Sequence, residues 1–182
     1  LERIIADGRR AGDVIRRLRS LAKKDTPLHT PVDVNEVIED SIAVVEAELR
    51  RHRVVLSIET SRLPPVLGDK VQLQQVVINL IVNGIQAMAD QFEGGRRLLI
   101  RTALEGGGQV QITVADTGPG LSPDAMTRLF DPFYTTKSDG TGLGLSICRT
   151  IIQAHGGRIW ATANADGGAS LHVTVAAEQE AA

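Results

Sequence analysis

The chain has 182 residues, 42% hydrophobic and 23% charged, with a formal net charge of −2. That is the balance of one folded globular domain with a short appendage, and its near-neutrality gives no global attraction to nucleic acid. A single cysteine, Cys148, excludes a disulfide framework or a cysteine-based metal site, and no stretch approaches the ~18 uninterrupted apolar residues of a membrane span.

Residues 1–24 read as a single amphipathic helix. Leu1, Ile4, Gly8, Ala11, Ile15, Leu18 and Ala22 follow the alternating three and four spacing of a heptad seam. Between them lie eight basic residues against three acidic ones. So narrow an apolar stripe needs a partner helix. The basic flank suits the solvated face of a bundle or an acidic partner. Nucleic acid is the weakest reading, because aromatic residues for base stacking are absent. Residues 25–31, with Pro27 and Pro31, read as a linker, and 32–177 as the main domain.

Within that domain a helix is expected from Asn35 to about Arg51, then a β-branched strand from Arg53 to Glu59. Pro64, Pro65 and Gly68 end that unit, and Asp69 caps a long helix running to about Gln91. Arg97–Leu104 and Gln109–Asp116 form a hairpin around Gly106–Gly108. A short helix, Pro123–Leu129, precedes an irregular stretch, Phe130–Thr141. A helix from about Leu143 to Ala154 stops at His155-Gly156-Gly157, and Arg158–Ala163 with Ser170–Ala176 closes the domain before a tail at 178–182. Helices mixed with hairpins indicate α+β, a two-layer sandwich with a mixed sheet. The chain is read as a piece of a longer polypeptide, cytoplasmic and without membrane contact of its own, whose parent can still be membrane-anchored.

Neither a G-x-x-x-x-G-K-[ST] phosphate loop nor a G-x-G-x-x-G opening a helix is present, and H-R-D and D-F-G are missing. Two glycine clusters do occur, Asp116-Thr117-Gly118-Pro119-Gly120 and Gly140-Thr141-Gly142-Leu143-Gly144-Leu145. The second leads into a helix, where exposed N–H groups make an anion site. The first places an acid at a strand end, able to accept from an amino group beside glycines that admit a flat ligand; an Asx-turn closing the strand is the alternative. Asn79 and Asn83 share a helix face. Two carboxamides on an apolar flank need partners, and their oxygens suit magnesium, which takes one or two protein ligands plus phosphates.

In order, Asn79-x-x-x-Asn83, Asp116-x-Gly118-x-Gly120, Phe130-Asp131-Pro132-Phe133-Tyr134-Thr135-Thr136-Lys137 and the 140–145 cluster resemble the ATP-binding catalytic domain of bacterial sensor histidine kinases, within the GHKL superfamily. The resemblance covers about Thr30 to Ala177. It implies that Asn83 ligands Mg2+, that Asn79 positions the phosphates of ATP, and that Asp116 reads the adenine amino group in a pocket shaped by Gly118 and Gly120. Gly140, Gly142 and Gly144, with Thr141, Leu143 and Leu145, match the phosphate-contacting loop. Above it lies a mobile lid from about Thr135 to Thr141, anchored by Phe130 and Phe133 and including Thr136. Lys137 resembles the lid lysine of the nitrogen-regulation and oxygen-sensing subgroup, where a cation near the γ-phosphate offsets charge during transfer; a solvated loop lysine is the alternative. Many relatives carry a lysine three residues after the magnesium asparagine and then an aromatic. Here these are Gln86 and Ala87, leaving the adenine face to aliphatic groups and Lys137 as the lysine near the phosphates.

Gyrase, mismatch-repair and chaperone branches of the superfamily place a water-activating glutamate where Asn79 stands. A carboxamide is no base near neutral pH, which argues for transfer rather than fast hydrolysis. The family's acceptor histidine lies on a hairpin helix next to an acid; His29, His52, His155 and His172 have no such setting. The resemblance therefore implies that residues 1–24 are the second helix of a dimerisation and phosphotransfer hairpin and that the acceptor lies elsewhere. It also implies a response regulator receiver domain as partner, with a homodimer in the full-length protein and a monomer or irregular dimer for this chain. An ATPase driving conformational change and a non-catalytic nucleotide-sensing scaffold are the rival readings.

Overall fold

The computed structural model describes residues 29–89, 95–137 and 140–178. The amphipathic segment 1–24, most of the expected linker and the end of the tail lie outside them.

A five-stranded sheet carries the domain. Its strands are β2 (Val54–Glu59), β4 (Arg96–Glu105), β5 (Gln109–Asp116), β6 (Arg158–Ala163) and β7 (Ala169–Ala176), in the order β2-β4-β5-β7-β6. β2 runs parallel to β4 and every other neighbouring pair is antiparallel, so the sheet is mixed as expected. A smaller pair, β1 (Thr30–Val32) and β3 (Val66–Gly68), lies apart. It is absent from the sequence reading, and Thr30 and Pro31 in it overlap the segment read as linker. Proline lacks a donor and tolerates such an edge, which is why this short pair left no strand signal.

Three helices pack one face: α1 (Val34–Arg51), α2 (Lys70–Ala87) and α4 (Gly144–Ala154); α3 (Pro123–Arg128) is a short helix of 6 residues. Asp33 caps α1, accepting from the N–H groups of Asn35 and Glu36, and Asp69 caps α2 through Val71 and Gln72 as its sequence predicts. α2 lies between α1 and α4 and presents Leu73, Val76, Val77, Leu80, Ile81 and Ile85 to the core. These meet Leu98, Ile100, Ile112, Val114 and Val173, the alternate residues of the sheet. α2 ends at Ala87 under Met88, short of the expected Gln91. There the Arg96 guanidinium ties the Ala89 carbonyl to that of His52 at the end of α1, each at 2.7 Å.

His155, buried where α4 stops, bonds the Asp69 N–H through Nε2 at 3.0 Å and the Ile151 carbonyl through Nδ1 at 2.8 Å. Accepting at one nitrogen and donating at the other, the neutral ring locks α4 onto the start of α2. Among the described residues no helix is long and apolar enough to cross a membrane.

Candidate nucleotide site

The cleft lies where α2, the end of β5 and the start of α4 meet. Gly84 sits at the closest approach of helix to sheet: a Cβ there would lie 2.5 Å from Leu98 Cδ1, which would have to move, and in ordinary contact with Asp116 Cβ at 3.6 Å. Three residues before the end of α2, glycine costs roughly 1 kcal/mol of helix propensity against alanine; its place beside Asn83 was the available signal for it.

Asp116 closes β5 with its side chain on the helix side, 7% exposed. Its Oδ1 accepts the Gly118 N–H at 2.8 Å and the Ala169 N–H at 3.4 Å. The first bond is the Asx-turn alternative of the sequence, present as such. Both bonds fall on one oxygen; Oδ2 accepts none among the described residues. Burial pushes the Asp116 carboxyl above its ordinary range, outweighing the two backbone N–H bonds and the Lys137 charge, which favour the anion. Asn164 steadies the same corner from the β6–β7 turn, donating to the Asp116 carbonyl at 3.1 Å and receiving the Ser170 hydroxyl at 2.6 Å. Neither Asn164 nor Ala169 was singled out from the sequence, where Gly167-Gly168 signals only a turn.

Opposite Asp116, Asn83 donates to the Asn79 carbonyl at 2.8 Å, a bond within the helix. That leaves the carboxamide oxygens of Asn79 and Asn83 without donors among the described residues. Both residues are partly exposed, and their oxygens are open to water or to a ligand. A Cβ on Gly144 would lie 3.9 Å from both Asn79 Oδ1 and Asn83 Nδ2, so the first turn of α4 faces the pair directly. No side chain caps α4. Its first N–H groups and the positive end of its dipole point at the carboxamides.

The loop between them is held by its backbone. Phe133 has φ +66°, donates its N–H to the Gly142 carbonyl at 3.0 Å, and leaves its ring 73% exposed. Gly142 also has φ +66°, and a Cβ on it would lie 2.4 Å from the Phe133 carbonyl carbon. Phe130 packs partly buried against the core. The two phenylalanines thus differ: one meets the core through its ring, the other joins the loop through its peptide. Thr136 is exposed. Gly118 sits against the Ala87 carbonyl and Gly120 against Gly168. Leu143 and Leu145 are buried, and Thr141 Oγ1 lies 3.5 Å from the Leu143 N–H. Gly140 donates to the Lys137 carbonyl at 3.2 Å. Lys137 is half-buried, with its ammonium on Gln86 Oε1 at 3.0 Å.

A groove of about 530 Å³ on the outer sheet face also touches Asp116, but it is lined by the outward residues Ser57, Glu59, Arg97, Leu99 and Thr117 and is a different surface. Among the described residues no cluster of three His, Cys, Asp or Glu side chains is arranged to hold a metal. Asn79 and Asn83 offer hard, neutral oxygens, which fit magnesium arriving with phosphates better than a resident ion.

A cleft with a carboxylate acceptor at one end and an uncapped helix terminus at the other matches a ligand with an amino group and an anionic tail, as a nucleotide has. The family model described as histidine kinase-, DNA gyrase B- and HSP90-like ATPase matches residues 68–179, and the chain belongs to that family. It is 42% identical over 182 residues to the C4-dicarboxylate transport sensor protein DctS of Rhodobacter capsulatus, covering all of this chain and 28% of that one. Among solved structures it resembles the nucleotide-free catalytic domain of the histidine kinase ThkA, 31% identical with a TM-score of 0.72, covering 81% of this chain and 95% of that one. A further likeness is ThkA in complex with the response regulator TrrA, 26% identical with a TM-score of 0.77 over 94% of this chain and 48% of that one. The chain spans between 18% and 35% of the length of the first curated relatives it matches.

Proposed function

We propose that this chain binds Mg-ATP and that, in the intact protein, it delivers the γ-phosphoryl group to a histidine of a phosphotransfer hairpin. The histidine nitrogen forms a bond to the γ-phosphorus as the bridging bond to the β-phosphate oxygen breaks, and ADP leaves. An aspartate of a response regulator then takes the phosphoryl group, in line with the complex known for ThkA. Residues 1–24 are read as the second helix of that hairpin, 25–31 as linker and 32–177 as the catalytic unit.

The observation that carries this reading is Asp116: a buried carboxylate whose Oδ1 is held by two N–H groups while Oδ2 remains to accept the adenine 6-amino group. Guanine offers a carbonyl there, and two acceptors repel. At the other end, the α4 N–H groups and the Gly140–Gly144 loop bind the phosphates, with the Asn79 carboxamide orienting them. The Asn83 oxygen would hold magnesium, which when bound supplies positive charge to the β- and γ-phosphates. Lys137 adds the lid cation. Asn79 is no base, so water in the cleft is not activated.

The four histidines are otherwise engaged. His155 and His172 are held through both ring nitrogens, His52 ends α1 beside Glu48, and His29 packs edge-on against His155. The acceptor is therefore sought outside this chain. Calorimetric titration with ADP and GDP, each with magnesium, is the test. ADP binding with little GDP binding supports the site; a folded chain that binds neither leaves the scaffold reading in its place.

A further inference from the structure

Asn79, Asn83 and Gln86 are spaced four and three apart on α2, so their carboxamides form one row, about 10 Å long at 1.5 Å per residue. The first two belong to the proposed phosphate end. The third stands where many relatives have lysine, and it carries no charge. Yet its Oε1 accepts the Lys137 ammonium at 3.0 Å, from a residue 51 positions away in the chain. The lid backbone aims Lys137 there. Thr135 Oγ1 accepts the Lys137 N–H at 3.1 Å, and the Gly140 N–H donates to the Lys137 carbonyl at 3.2 Å, so the backbone of the lysine is tied on both sides. A Cβ on Gly140 would press on Thr135 Oγ1, the same atom that accepts the Lys137 N–H. The ammonium is half-buried and within the field of the Asp116 carboxylate, which opposes the effect of burial on its protonation.

We propose that Gln86 is a positioning residue for the lid: it holds Lys137 across the cleft, so that the lid presents to the terminal phosphate the cation that α2 itself lacks. This rests on the Mg-ATP reading above. The acceptor's chemistry is part of the argument. A neutral amide fixes the ammonium without cancelling its charge. A carboxylate at the same place would hold it more tightly and neutralise it before any phosphate arrives.

The test titrates ADP and a non-hydrolysable ATP analogue, each with magnesium, into the unmodified chain and into Q86A, Q86E, K137A and the Q86A/K137A double variant. K137A and Q86A should each weaken analogue binding by about threefold to tenfold and ADP binding less, and the double variant should be no worse than K137A. Q86E should also weaken the analogue. Tryptic cleavage after Lys137 separates the two causes: it should be faster in Q86A, where the latch is gone, and unchanged or slower in Q86E, where it is kept. Additive losses in the double variant, equal losses for ADP and the analogue, or a silent Q86A would each overturn the role of Gln86 while leaving the nucleotide site standing. No nucleotide binding by the unmodified folded chain would overturn both.

Discussion

The two ends of the cleft are built by different means. At Asp116 the side chain is buried, its neighbours are core residues of β5 and α2, and its position follows from the packing of helix on sheet. At the lid, Pro132, Phe133, Thr135 and Thr136 are exposed, and what order they share comes from single bonds such as Phe133 to Gly142 and Lys137 to Gln86. On the proposed reading, recognition of the base would rest on packed core elements, whereas the phosphates would be held by helix termini and carboxamides of the core together with a loop that makes few contacts with it. That division separates selectivity from turnover: a change at one end should alter which nucleotide binds, and a change at the other how its phosphates are held.

The comparison predicts that stability and binding respond separately. The largest effect belongs to the scaffold: Leu80→Ala, at a fully buried position of α2, should cost about 2–5 kcal/mol in denaturant unfolding and lower ADP affinity only through the unfolded fraction. Asp116→Asn comes next. It replaces a charged acceptor in the proposed adenine contact and should weaken ADP about tenfold to a hundredfold in calorimetry. The melting temperature should hold or rise, since a costly buried charge is gone. A variant that loses fold and binding together would break the separation. Gly142→Ala probes the other end. A side chain with φ near +66° pressed against the Phe133 peptide should disturb the phosphate loop, weakening nucleotide severalfold while the melting midpoint moves little.

Acidity offers a finer test, because two groups have opposite signs. The Asp116 pKa is raised in the folded chain, so this group disfavours folding above that pKa, and the cost disappears as pH falls through it. Binding moves the other way: protonation removes the acceptor, and ADP affinity should fall at a pH above the ordinary carboxylate range. His172, held between Thr113 and Thr162, has its pKa lowered by burial. Its contribution to stability is full above about pH 6.5 and is lost as pH falls toward its folded value. Mild acid should thus bring a loss of stability from His172 that is absent in His172→Gln, measured as the difference between the two unfolding curves against pH.

Much of the fold was legible from local rules. Asp69 ahead of an apolar run, the Gly106–Gly108 turn between alternating strands, and the His155-Gly156-Gly157 stop each act through a neighbour a few residues away. What escaped depends on distant partners. The pairing of Thr30–Val32 with Val66–Gly68 joins two proline-marked segments whose composition argues against strands. The motifs brought Asn79, Asn83, Asp116 and the 140–145 cluster to notice, but no periodicity reveals that Asn164 and Ala169 secure Asp116. Gln86 appeared only as a missing lysine; its bond to Lys137 crosses from helix to loop and has no signature along the chain. Phe133 shows the same limit from the other direction, since its apolar type predicts burial while its peptide, not its ring, makes the contact.

The bond from Phe133 to Gly142 has a consequence for length. It brings the two ends of the intervening loop together, so the residues between them span no distance that depends on their number. Closing such a loop becomes harder only slowly as it grows, by roughly 0.6 kcal/mol for each doubling. Extra residues inserted next to Thr136 would lengthen an arch whose feet stay planted, and the cleft below would keep its dimensions. That makes this arch a natural place to splice in a reporter or a second binding segment: the chain should tolerate the insertion as a fold even where it slows the handling of phosphate.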